Sequence, residues 1–364
     1  MPRAGFGFAR RYGGFVLAAL LLVSACGARS PRPSAHSTTS VICDLYGSPT
    51  GRAELPHAPA ARAAHRHHRG SIAQPFSSAQ ALVKALRPGQ TGCLEPGTYG
   101  LSGELFLGQS GRPGAPISLA GYPSRQATLT GGFVEISHGA NYDVLRGLRI
   151  NTAHAGQVGV QILGAHDALL YSNITNHNTR YSCIIVGSDT GYGQASHALI
   201  QGDTVHQCGY YPGDPYEDHG IYVDNSVGAT IQRNVIWGIP YGWGIQLYPH
   251  SVGTQVLRNI IVDNRQGVVF GGDDSYTSSG NLVADNIITS GSTGYDIESY
   301  WAASVGTDNR AQGNCLYSRH SAEIQRPAKG FVAVHNVIAQ PQYVNATEHN
   351  YTLKPTSPCR SLLG

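Results

Sequence analysis

Acids, imidazoles and aromatic rings crowd one stretch of this chain. Asp218-His219 leads into Tyr222 and Asp224; Trp243, Gln246, Tyr248 and His250 follow; then Arg265, Asp273 and Asp274; then Asp296, Glu298 and Tyr300. A carboxylate or imidazole can give and take protons. Rings beside carboxylates suit a sugar, whose flat face stacks on the ring while its hydroxyls bind the acid. Spacing sharpens the chemistry. Asp296 and Glu298, two apart on one strand, would stand ~6.6 Å apart, near the ~6.5–9.5 Å that inverting glycoside hydrolysis needs. Asp273 or Asp274 one strand away would approach the ~5–5.5 Å of retaining hydrolysis. The candidate catalytic set is therefore Asp218, His219, Asp273, Asp274, Asp296 and Glu298. Tyr222, Asp224, Trp243, Gln246, Tyr248, His250, Arg265 and Tyr300 are the candidate substrate-binding residues.

What must position them is a repeat. Asn234-Val235-Ile236, Asn259-Ile260-Ile261, Asn286-Ile287-Ile288, Asn314-Cys315-Leu316 and Asn336-Val337-Ile338 share one phase, with Asn173-Ile174 earlier and Gly147-Leu148 and Asp203-Thr204-Val205 filling the series. These anchors recur every 22 to 31 residues. That interval, with β-branched residues at each beat, marks a solenoid whose coils share one core. A second beat, Gly159-Val160, Gly220-Ile221, Gly244-Ile245, Gly267-Val268 and Gly294-Tyr295, with Cys183-Ile184 in the same slot, heads strands of period-2 alternation. Two strands per coil, parallel stacking and an asparagine ladder at one corner predict a parallel β-helix. Aligning the glycines puts Gln161, Ile185, Tyr222, Gln246, Val269 and Asp296 in one outward column. Leu163, Gly187, Asp224, Tyr248, Gly271 and Glu298 form the next.

The ends read differently. Arg3, Arg10 and Arg11 precede an apolar run, Gly14–Ala25, too short to span a bilayer. Val23-Ser24-Ala25-Cys26 resembles a bacterial lipobox, so residues 1–25 read as a signal peptide, Cys26 as a lipidation site and 26–42 as a tether. The only membrane contact expected is through that anchor. Export places the other six cysteines in an oxidising compartment. Of fifteen pairings, proximity favours Cys43–Cys93, Cys183–Cys208 and Cys315–Cys359. Residues 43–115 read as an N-terminal cap holding a helix that starts at Ser77, turns Ala81, Leu82, Ala85 and Leu86 inward, and stops at Pro88-Gly89. The coils occupy 116–340, and 341–364 form a C-terminal cap. His57, His65, His67 and His68 lie in an Ala/Arg-rich tract that reads as a variable loop rather than a metal site.

Cys43-Asp44-Leu45-Tyr46, Pro75-Phe76, Ala85–Leu94 and Pro96-Gly97-Thr98-Tyr99, followed by the coils, resemble the N-terminal cap and repeat of bacterial right-handed β-helix proteins of the pectate-lyase-like superfamily. That resemblance implies an all-β, right-handed, single-stranded solenoid with an amphipathic capping helix. It also implies a polysaccharide or cell-wall glycan as partner, cleaved by hydrolysis or by β-elimination. Calcium is implied in the lyase case, and no other cofactor. Uronate epimerases of the superfamily carry an Asp-Pro-His motif; here Gly213-Asp214-Pro215-Tyr216 has tyrosine instead.

Composition narrows the classes. Net charge is +3 and much of the arginine lies in the signal and cap, so nothing points to nucleic acid. No lysine falls between Lys84 and Lys329, which removes a lysine base from the coils. Arg233 and Arg258, in phase with Asp285, read as an ion ladder on another face. The leading expectation is an exported, monomeric, polysaccharide-active β-helix. The alternative is a non-catalytic carbohydrate-binding or structural surface protein.

Overall fold

A computed structural model describes residues 41–52, 70–153, 158–188, 193–210, 218–289, 293–319 and 322–363. The signal segment, Cys26, residues 27–40 of the tether, the His57–His68 tract, Asp214, Tyr216 and Glu217 lie outside the described residues. The chain winds into a parallel β-solenoid. Each coil contributes three strands rather than two, and the strands stack into three long sheets of eleven, ten and eight strands. Sheet I holds strands such as Thr230–Gln232 and Gln255–Leu257, sheet II Val235–Trp237 and Ile260–Val262, and sheet III Ile221–Val223 and Trp243–Leu247. The two strands read from the sequence, headed by asparagine and by glycine, are those of sheets II and III; the strand of sheet I, just before the asparagine corner, is the third.

That corner carries the asparagine beat. Arg233, Arg258 and Asp285 adopt positive φ of 57°, 55° and 57°, the left-handed region in which the chain turns sharply. The asparagine after each then ladders along the axis. Asn259 Oδ1 accepts from Asn234 N at 2.9 Å, and Asn259 N and Nδ2 donate to Asn286 Oδ1 at 2.8 and 3.0 Å. Asn286 repeats the pattern onto Asn314, and Asn314 onto Asn336. The expected ladder is present. The expected ion ladder is not: Arg233, Arg258 and Asp285 make the corner instead, and no ion pair joins them.

A second ladder lines the other end of sheet I. Thr254 N donates to Asn281 Oδ1 at 2.7 Å, and Asn281 N and Nδ2 donate to Asn309 Oδ1 at 3.1 and 2.9 Å. Earlier coils put Asp143 and Asp167 there, with Asp143 N donating to Asp167 Oδ1 at 2.9 Å. Inside, apolar columns from all three sheets fill the core; sheet III supplies two, Ile221, Ile245, Val268 and Ile297, and Val223, Leu247 and Phe270, against Ile236, Ile261 and Ile288 from sheet II.

The first coil is plugged by the helix Ala79–Ala85, whose Leu82, like the adjoining Leu86, is fully buried. Its N-cap is Ser78, accepting from Ala81 N, one residue after the expected Ser77. At the other end an antiparallel hairpin, Tyr343–Asn345 with Asn350–Leu353, packs on the outside of sheet II around Ile287, Cys315 and Cys359. Disulfides join Cys43 to Cys93, Cys183 to Cys208 and Cys315 to Cys359, the three pairs that proximity favours.

Candidate active site

The outer face of sheet III gathers most of the chemistry. Register fixes its main column as Gln161, Ile185, Tyr222, Gln246, Val269 and Glu298. The next outward column is Tyr248, Gly271 and Tyr300, with Asp224 stacked before Tyr248. The expected columns ended one pleat early, with Asp296 where Glu298 lies and Glu298 where Tyr300 lies. The cause is Gly294, which is not in the strand-heading phase. A Cβ on Gly294 would meet the Gln266 side chain at 1.9 Å, so its glycine makes room for that side chain. Asp296 holds the strand-heading position instead, its carbonyl accepting from Val268 N.

Asp296 therefore stands just before the strand Ile297–Trp301 and outside the Glu298 column. It is fully buried, with Tyr343 of the C-terminal hairpin within electrostatic reach.

Glu298 is 8 % exposed, and its Oε1 accepts from Trp243 Nε1 at 2.5 Å and from Gln266 Nε2. Burial pushes its pKa up to about 7, against the pull of those two donors and of the Arg265 charge. A carboxyl balanced between its two protonation states near neutral pH can act as acid or base. Arg265 is braced from behind, donating through Nη1 to Tyr241 O at 3.0 Å and through Nε to Thr293 Oγ1 at 3.3 Å.

Residues just before the heading glycines form a third column: His219, Trp243, Gln266. Trp243 and Gln266 are register partners. Trp243 N donates to His219 Nδ1 at 3.3 Å, which leaves the ring proton of a neutral His219 on Nε2. The His219 ring lies 5.3 Å from the Trp243 ring and 5.5 Å, edge-on, from Tyr222. Asp218 is fully buried, and its Oδ1 accepts from Tyr181 N at 2.6 Å. It braces the backbone that presents His219. Gln266 was missed by sequence reasoning; the signal was its place before Gly267, matching His219 before Gly220 and Trp243 before Gly244.

At the far edge of the sheet Tyr248 and Tyr300 have ring centroids 6.3 Å apart, and Tyr300 is 57 % exposed. Gly271 opens the space between them, since a Cβ there would meet Tyr248 Cδ2 at 2.7 Å. Burial raises the Tyr248 pKa, helped by Asp273, Tyr300, Asp274 and Asp224. His250 stacks on Tyr276 at 5.0 Å and approaches Asn225 Oδ1 at 3.2 Å. With Asp224 and Gln194 they border a cavity of about 300 Å³. Asp273 instead closes its own turn, Oδ1 accepting from Ser275 N and Tyr276 N at 2.8 and 2.7 Å, and Asp274 is exposed beside it. Both sit at the rim as turn formers. Among the described residues no three His, Cys, Asp or Glu side chains gather closely enough to hold a metal.

A family model described as "Right handed beta helix region" matches residues 138–324, just over half the chain. The chain belongs to the right-handed β-helix family. Among solved structures, this β-helix is similar to pectate lyase Pel9A, with a TM-score of 0.55 and 14 % identity over 87 % of this chain and 91 % of that one. An alginate lyase from Paenibacillus sp. str. FPU-7 aligns at TM-score 0.47 and 18 % identity, over 71 % of this chain and 96 % of that one. A lacto-N-biosidase from Eubacterium ramulus aligns at TM-score 0.44 and 12 % identity, over 81 % and 67 %. At such identities the likeness is one of fold. A curated protein, phosphoribosylformylglycinamidine cyclo-ligase of Citrifermentans bemidjiense, is 31 % identical over 112 residues. The chain spans only 30 % of its length, and nothing of that activity is carried over.

Proposed function

We propose that this β-helix acts on a polysaccharide bound along the outer face of sheet III, with Glu298 as its proton-transfer residue. The observation that carries the reading is the Glu298 carboxyl, buried under Trp243 and Gln266 and held near pKa 7. Rings flank it along the sheet: Tyr222 and Trp243 toward one end, Tyr248 and Tyr300 toward one edge. They supply the stacking surfaces a glycan needs. The pectate lyase neighbour and the family fold support this reading.

β-Elimination on a uronate-containing chain fits better than hydrolysis. Two-carboxylate hydrolysis needs a second acid ~5–9.5 Å away. Among the described residues Asp296 is fully buried outside the Glu298 column, Asp273 is spent in a turn, and Asp224 lies three strands off, ~14 Å. In the elimination, Glu298 as carboxylate takes the proton beside the uronate carboxyl. The released electrons form the carbon–carbon double bond, the glycosidic C–O bond breaks, and the departing oxygen picks up a proton from water. The Arg265 charge offsets the negative charge that builds up on the uronate carboxyl. The three disulfides fit an oxidising compartment, so the site of action is proposed to be outside the cytoplasm.

The test is incubation with a panel of acidic and neutral polysaccharides, following ultraviolet-absorbing unsaturated ends and new reducing ends separately. Unsaturated product that disappears in Glu298→Gln, with glycan binding retained, is the expected result. Reducing ends without unsaturation would replace elimination by hydrolysis. Tight binding with neither product would make this a carbohydrate-binding module.

A further inference from the structure

Sheet II carries a second cavity, of about 360 Å³, on a different face of the coil from Glu298. Its lining includes Arg125, Arg149, Asn151, Asn173, His177 and His206, and no Asp or Glu among the described residues borders it. Arg149 projects outward between Thr128 and Asn173 in the register. It is exposed and makes no hydrogen bond or ion pair with the described residues. Arg125 is fixed: it starts at a left-handed corner, φ 61°, and crosses successive coils, donating through Nε to Tyr171 O at 2.8 Å and through Nη2 to Gly202 O at 3.0 Å. Carbonyls hold it in place without cancelling its charge. The acid closest in its electrostatics, Asp203, is buried in the corner ladder rather than on the cavity wall, and burial raises its pKa well above the ordinary range, against the pull of Arg125.

The cavity therefore concentrates positive charge and has no internal counter-ion at its surface. Burial lowers the Arg125 pKa, the Asp203 carboxyl beneath it pulls it back up, and the Arg149 charge lowers it again. Neutral donors complete the wall. The Asn173 amide meets His206 Nε2 at 3.0 Å, and the His206 ring stacks on Trp237 at 4.6 Å. Trp237 is stacked in turn on His349 of the C-terminal hairpin at 3.6 Å, which closes that end. A planar guanidinium with a free fork recognises carboxylate, sulfate or phosphate oxygens in pairs. A space of this size admits a unit of one or two sugar rings.

We infer that the outer face of sheet II binds an oxyanion, a carboxylate, sulfate or phosphate, on a small unit gripped between Arg149 and Arg125. The inference does not depend on the activity assigned to sheet III. The experiment titrates full-length protein with inorganic sulfate, inorganic phosphate and digalacturonate at low salt, by calorimetry and by tryptophan fluorescence, with Trp237→Phe identifying the responding ring. Binding of at least one probe is expected, weakened at least tenfold in Arg149→Ala, partly restored in Arg149→Lys and unchanged in Glu298→Gln. Binding of digalacturonate alone assigns the cavity to an acidic glycan; binding of the inorganic anions as well assigns it to the oxyanion itself. Absence of binding for all three, or binding that survives Arg149→Ala, overturns the inference. Arg149 is exposed, so its variants fold; circular dichroism checks this.

Discussion

Asp167→Asn should make this protein more stable, and only at high pH. Asp167 occupies the ladder at the start of sheet I, where later coils use Asn281 and Asn309. It is fully buried. Burial raises its pKa to about 8, the Asp143 N–H pulls it partly back, and the Asp143 carboxyl pushes it up again. Asp143 is itself raised by burial, to about 7. The folded pKa exceeds the unfolded value, so the native state holds a proton that the unfolded chain releases. Stability from this group is thus complete below pH ~4 and is lost as pH rises through about 8. Roughly four pKa units at ~1.4 kcal/mol each set a ceiling of about 5.6 kcal/mol. Structural relaxation and water entry reduce that to about 2–4 kcal/mol. Asparagine keeps the Oδ1 acceptor for Asp143 N, adds a donor such as Asn281 uses toward Ser251 O, and cannot ionise. Thermal and urea melts at several pH values should show the variant within ~1 kcal/mol of the parent near pH 4 and more stable by about 2–4 kcal/mol near pH 9. Stability curves that run parallel across that range would refute the reasoning.

Four further outcomes follow from the same contacts. Trp243→Phe removes the indole donor to Glu298, so the midpoint of the pH–activity profile should move up by about one unit. Asn259→Ala breaks the corner ladder: it strands Asn234 N and takes the amide donor from Ile231 O and Asn286 Oδ1; unfolding free energy should fall by ~2–4 kcal/mol. Replacing both Cys183 and Cys208 by serine opens a loop of 25 residues and should cost about 3.5 kcal/mol in denaturant melts. Glu298→Gln should raise stability above pH 7, because Glu298 too has a folded pKa above its unfolded one and loses stability as pH rises through about 7.

The sequence held the coil and one of its corners. Asparagine at a fixed phase is legible because one side chain there must bond both the coil before it and the coil after it, as Asn259 and Asn286 do. The disulfides were legible from proximity, because a solenoid keeps sequence neighbours close along its axis. The site was half legible. Alternation placed acids and rings on one sheet, but column assignment needs the number of residues in each corner, and those vary from coil to coil. Gly294 looked like a strand head and is instead a gap for Gln266; that error moved Asp296 into the groove and Glu298 out of its place. The Thr254, Asn281, Asn309 ladder follows the same period and went unread. Mixed residue types hide it, with Asp143 and Asp167 in the early coils.

The most direct test of the account is the pH dependence of kcat/KM on an acidic polysaccharide, measured as unsaturated product for the parent protein and for Glu298→Gln. A buried carboxylate acting as base predicts a rate rising about tenfold per pH unit and levelling above pH 7, with Glu298→Gln slower by ~10²-fold or more at every pH. A parent profile flat through pH 7, or a Glu298→Gln variant that turns over normally, would contradict it.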